Sequence, residues 1–234
     1  MNAKEIQTRM RAMGSEERAR VSEWFFKTGP GEYGEGDLFL GLDSPTLRKL
    51  AKEYRAANFK ILLSLLKSKF HEERLLALLI LGLQFLKASD EAKHEIYRFY
   101  LANTLYINNW DLVDCSAPHV VGAFLIDKDK VILAKLAKSE SLWERRIAIV
   151  ATHYFIRNYH FDTTFKIAEM LLQDREDLIH KAVGWMLREV GKKHFEAEEA
   201  FMRIHYQRMP RTMLRYAIER FPEELRQKFL KGHI

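Results

Sequence analysis

The sequence predicts an all-α protein on three observations. Apolar residues recur three and four apart, as in Leu62, Leu63, Leu65, Leu66 and again in Leu75, Leu76, Leu78, Leu79, the spacing that lines a helix face. No stretch alternates polar and apolar residues between hairpin turns, so no strand is expected. Helix boundaries are also signalled repeatedly. In chain order, Ser15 precedes Glu16 and Glu17, and Ser44 with Pro45 reads as an N-cap and first helical residue. Ser141 to Glu144 reads Ser-Leu-Trp-Glu, a capping box; Asp162 and Asp177 read as N-caps, and Gly191 as a C-terminal stop. About a dozen helices of ordinary length are expected.

The helices repeat. Placing Leu66-Lys67-Ser68 over Ala137-Lys138-Ser139 and Leu172-Gln173-Asp174 brings Arg74, Arg145 and His180 into register. The spacing between the first two is close to twice that between the last two, which puts a further copy near Trp110. A period of about 36 residues, one helix pair per unit, reads as an α-solenoid of HEAT-like helix pairs forming a curved, concave basic groove. One such domain, 1–234, is expected; the competing reading is a non-repeating bundle whose patterns align by chance.

Composition narrows the function classes. With 47% hydrophobic and 30% charged residues the chain is globular rather than disordered. A single cysteine, Cys115, excludes an intramolecular disulfide and any multi-cysteine metal site, and suits a reducing cytoplasm. The longest apolar run, Leu75 to Leu83, is far short of the roughly 20 residues of a membrane span. A cytoplasmic protein with no membrane partner is expected. The net charge is +6, and from Ala200 to Ile234 eight basic residues face three acidic ones, which suggests a polyanionic partner. The segment Gly29 to Gly36 formally contains G-x-G-x-x-G, but no strand precedes it, and Glu32, Glu35 and Asp37 would repel phosphate. A connector is expected there.

In the repeat register, Trp110, Arg146 and Lys181 occupy one row on the second helices of successive units. Asp114, Val150 and Trp185 lie one turn further on, since positions i and i+4 share a face. Trp110, Asp114, Arg146, Lys181 and Trp185 would then converge, with Arg188 one turn beyond Trp185. Each has a plainer reading: packing indoles, a carboxylate paired with Arg146, Asp111 as an N-cap. Core packing gives no reason, however, for a carboxylate and cations beside two indoles. His119, His153, His160 and His180 lack metal-ligand spacing, so no metal is expected, and Cys115 has no activating base.

At these residues the sequence resembles the AlkD-like DNA alkylation repair family of HEAT-like DNA glycosylases. The matching segments are Trp110-Asp-Leu-Val-Asp114 with Ala117-Pro118, Trp143-Glu-Arg-Arg146, and Lys181-Ala-Val-Gly-Trp185-Met-Leu-Arg-Glu189. Phe39-Leu-Gly-Leu42 and the basic run Arg211 to Glu219 belong to the same resemblance, which covers most of the chain. It implies excision of purines alkylated at N3 or N7 from double-stranded DNA, without a base-flipping pocket and without a cofactor. Asp114 would be the catalytic carboxylate, Trp110 and Trp185 the aromatic walls, and Arg146 a backbone contact. Lys181, Arg188, Arg211 and Arg215 would join Arg146 in holding phosphates. Some relatives also place an N-terminal aromatic beside the lesion; no segment here matches it, and Tyr33 is given no role. A monomer is expected, because a groove around a duplex needs no symmetry partner. The alternatives are a non-catalytic protein binding branched or distorted DNA and a scaffold using Trp110 and Trp185 as anchors, toward which the acidic loop leans.

Overall fold

A computed structural model describes residues 2–234. Among them every regular element is helical, with one isolated bridge between Leu38 and Phe70 and no strand. The chain forms two compact units, 1–116 and 117–234.

The first unit holds α1 (Ala3–Ala12), α2 (Glu16–Phe25), α3 (Ser44–Glu53), α4 (Phe59–Leu66), α5 (His71–Phe85), α6 (Asp90–Leu101) and the short α7 (Trp110–Asp114). α5 packs against α3, α4, α6 and α7. That crowding explains its apolar run: Leu75, Leu76, Leu78, Ile80 and Leu81 are buried on several faces at once. The second unit begins with a wide, π-helical turn at Pro118–Gly122. It continues with α8 (Ala123–Leu125), α9 (Val131–Leu136), α10 (Leu142–Arg157), α11 (Asp162–Met170), α12 (Asp177–Gly191), α13 (Phe195–His205), α14 (Arg211–Ala217) and α15 (Glu223–Lys231). Here α10 and α12 form the core, with Ile147, Val150, Phe155, Val183, Met186 and Leu187 buried. Gly184 permits α14 to approach α12: a Cβ there would lie 2.6 Å from the Met213 carbonyl oxygen and 2.5 Å from Tyr216 Cβ.

The repeat register is visible as one recurring contact. Arg74 donates to the carbonyl of Ser68 at 3.0 Å, Arg145 to that of Ser139 at 3.0 Å, and His180 to that of Asp174 at 2.6 Å. In each helix pair, α4–α5, α9–α10 and α11–α12, a side chain in the second helix thus clamps the turn that precedes it. Arg145 also pairs with Asp174 at 2.6 Å, joining one pair's second helix to the next pair's turn.

Several boundary expectations need correction by a residue or two. The cap of α3 is Asp43, whose carboxylate accepts from Thr46 N–H, so Ser44 is already helical. α11 and α12 begin at Asp162 and Asp177, with Phe161 and Glu176 in the capping positions. The cap of α7 is Asn109 rather than Asp111. Ser15 and Ser141 cap α2 and α10 as expected. Gly191 closes α12 without leaving the helical conformation; the space it leaves is filled by Glu198, whose Oε2 would lie 1.7 Å from an added Cβ.

Candidate functional site

Trp110 and Asp114 occupy the first and last positions of α7, one turn apart on one face. Trp110 is half-buried. Its ring stacks on Phe26 at 5.3 Å and meets Phe25 edge-on at 5.9 Å, and its Nε1–H donates to the Tyr33 hydroxyl at 3.3 Å. Phe26 rests in turn on Phe39 at 5.0 Å and on His71 at 4.8 Å. These aromatics are what sequence reasoning missed. The consecutive Trp24-Phe25-Phe26 at the end of α2 was the available signal.

Beneath the aromatic stack lies a buried ionic cluster. Asp37 accepts from Arg74 at 2.7 Å and from Asn109 at 3.1 Å, and it contacts His71 Nδ1 at 3.3 Å. His71 Nε2 lies 2.8 Å from Asp111 Oδ2, and the other Asp111 oxygen accepts from Leu112 N–H. Burial pulls the His71 imidazole down, but the charge and hydrogen bond of Asp111, with the bond to Asp37, raise it to about 9. Burial pushes Asp37 up, yet His71, Arg74 and Asn109 together hold it below the usual carboxylate range. The ring of His71 is therefore an imidazolium at neutral pH, bridging two carboxylates.

This accounts for the acidic loop. Asp37 faces inward, while Glu32 and Glu35 accept the backbone N–H groups of Gly29 and Gly31. Of the loop's three acidic residues, Asp37 is thus taken into the interior, while Glu32 and Glu35 stay exposed and brace the loop's own backbone. Phe39-Leu-Gly-Leu42 is explained as well: the Glu72 carboxylate accepts from the N–H groups of Leu40, Gly41 and Leu42 at 2.8 to 3.2 Å. Gly41 adopts φ +73, where a side chain would be strained.

Asp114 is half-buried. Together with burial and Asp111, its charge pushes the neighbouring Cys115 thiol up to about 11, so the thiol stays protonated at neutral pH. The other expected site residues lie in the second unit. Arg146, on α10, is buried and donates to the Leu178 carbonyl at 2.6 Å. Lys181 pairs with Asp177 one turn back at 2.7 Å. Trp185 donates its Nε1–H to Glu189 at 3.1 Å, with its ring 5.6 Å from His153. Burial holds His153 below the usual imidazole range. Arg188 pairs with Glu219, Arg211 donates to the Leu230 carbonyl, and Arg215 is exposed. Several C-terminal cations are paired locally, Arg203 with Glu199, Arg226 with Glu223 and Lys228 with Glu224. Among the described residues no group of His, Cys, Asp and Glu is placed to hold a metal ion, and no helix is long and apolar enough to cross a membrane.

Residues 6–221 match the family model described as DNA alkylation repair enzyme. The chain belongs to that family. Among solved structures it is similar to a predicted DNA alkylation repair enzyme from Enterococcus faecalis, with TM-score 0.69 and 18% identity over 90% of this chain and 97% of that one. At that identity the likeness shows a shared fold. No curated protein matches the sequence. Membership in the DNA alkylation repair family makes DNA the substrate and places the Trp110 and Asp114 pair within its matched region.

Proposed function

We propose that the protein is a monofunctional DNA glycosylase that hydrolyses the N-glycosidic bond of purines alkylated at N3 or N7. The observation that carries the reading is that α7 presents an indole and a carboxylate one turn apart on one face. Glycoside hydrolysis ordinarily needs an acid for the leaving group and a second carboxylate. A cationic alkylpurine departs neutral without an acid, so one carboxylate suffices. Asp114 stabilises the oxocarbenium-like sugar and positions the water that attacks it. The indoles of Trp110 and Trp185 attract the cationic base and sugar, at ~0.5 to 2 kcal/mol for each cation-π contact. Arg146, Lys181, Arg188, Arg211 and Arg215 hold phosphates and orient the duplex without reading sequence. Excision without a base-flipping pocket, by a monomeric protein, completes the proposal.

The test is release of 7-methylguanine and 3-methyladenine from methylated duplex DNA by wild type and Asp114→Asn. The expected result is release above the spontaneous rate that falls by about 100-fold or more in the variant, the scale of one lost electrostatic stabiliser, with duplex affinity retained. Salt-sensitive duplex binding without release would overturn the glycosylase reading in favour of a protein that recognises DNA structure alone.

A further inference from the structure

The Gly29 to Asp37 loop has no counterpart in the chemistry above, yet it touches the proposed site at one atom. The Tyr33 hydroxyl accepts from Trp110 Nε1–H at 3.3 Å and donates to the Phe25 carbonyl at 3.4 Å, at the last residue of α2. One hydroxyl therefore ties the indole to the end of another helix.

The loop is built to hold that hydroxyl still. Gly34 N–H donates to the Lys27 carbonyl and Asp37 N–H to that of Gly34, at 3.1 and 3.0 Å. Gly31 and Gly36 take φ +77 and +82, turning the chain sharply on either side of Tyr33. At the loop's far end Asp37 is anchored to Arg74, His71 and Asn109, and Asn109 is the residue that caps α7. The strut thus reaches the same short helix twice, from its middle through the Trp110 side chain and from its end through the Asn109 cap.

A helix of five residues needs such support, because so short a segment has little stability of its own. An indole moves by turning about χ1 and χ2; Phe26 covers one face and Phe25 meets it edge-on, and the hydrogen bond at Nε1 adds the one directional contact that sets where its nitrogen points. We propose that Tyr33 is a positioning residue for Trp110, and that the Gly29 to Asp37 loop serves as the strut that presents its hydroxyl. The inference rests on the reading of Trp110 as a wall of the glycosylase site.

Two measurements test it. In protein labelled with 5-fluorotryptophan, the four tryptophans give four fluorine resonances, and Trp110→Phe assigns one of them. Tyr33→Phe should move that resonance and leave those of Trp24, Trp143 and Trp185 in place. In single-turnover excision of 7-methylguanine, Tyr33→Phe should lower the rate by about 3- to 10-fold, the scale of one ordinary hydrogen bond, with duplex Kd unchanged. In a Trp110→Phe background the same substitution should then cost nothing further. An unmoved Trp110 resonance, or an equal rate loss in both backgrounds, would overturn the proposal. If wild type excises nothing, the glycosylase reading fails and the fluorine measurement alone decides whether Tyr33 orients Trp110.

Discussion

In the first unit Asp37, His71 and Arg74 are buried together, and each has an opposite charge within 3.3 Å. In the second, Glu198 is 2% exposed and its Oε1 has no hydrogen-bond partner. Burial pushes Glu198 up to about 9, with the charge of Arg188 only partly opposing it, so it is a neutral acid at pH 7. The difference teaches that a buried ionisable side chain can be accommodated by supplying partners or by giving up its charge. The first route makes every member hostage to the others. The second leaves a group that can be replaced at little cost.

The largest expected effect follows from the first route. Asp37→Ala leaves the buried Arg74 guanidinium without its counter-charge and the His71 imidazolium with Asp111 alone, and should cost about 3 to 5 kcal/mol by urea unfolding. A loss under about 1 kcal/mol would mean that the cluster is not a cooperative unit. The pH dependence of stability separates the two routes next. His71 has its folded value raised from 6.5 to about 9, so its contribution is fully present below pH 6.5 and is lost as pH rises through 9. Glu198 is raised from 4.5 to about 9, so the folded protein holds a proton that the unfolded chain releases, and stability falls across that wider window. Urea midpoints of wild type should therefore decline from pH 5 to 9, and in Glu198→Gln the decline should shrink to the portion above pH 6.5. An unchanged profile in that variant would remove Glu198 from the account. The smallest effect is Glu198→Gln near pH 4, where the acid is neutral in both the folded and the unfolded chain: it should alter stability by less than about 1 kcal/mol, since a neutral amide replaces a neutral acid of the same shape, whereas at pH 7 it should raise stability because the unfolded chain no longer gains by ionising.

The helical class, the repeat register and the pairing of Trp110 with Asp114 on one helix face were all legible in the sequence, because each depends on spacing along the chain. The clamp made by Arg74, Arg145 and His180 falls where the three aligned segments placed those residues. The cap of α3 was off by one because Asp43 and Ser44 adjoin and either can accept the orphan N–H, whereas α11 and α12 start with Phe161 and Glu176 in the capping positions, making no side-chain bond that a cap preference could mark. The ionic cluster was not legible. Asp37 meets His71 and Asn109 from 34 and 72 positions away, and no local pattern marks such a meeting. The inward role of Asp37 was hidden for the same reason, and the role of Gly191 depended on the Glu198 carboxyl, seven residues further on in the next helix.

The clamp across these three interhelical turns also acts as a ruler. The distance from donor to carbonyl is six residues in all three copies, although the donor is arginine twice and histidine once. Geometry, and not residue identity, is what has been kept. One residue added to or removed from any of these turns would carry the carbonyl out of reach, so they are lengths the architecture cannot edit. Changes in chain length belong instead at joins that bear no such bond.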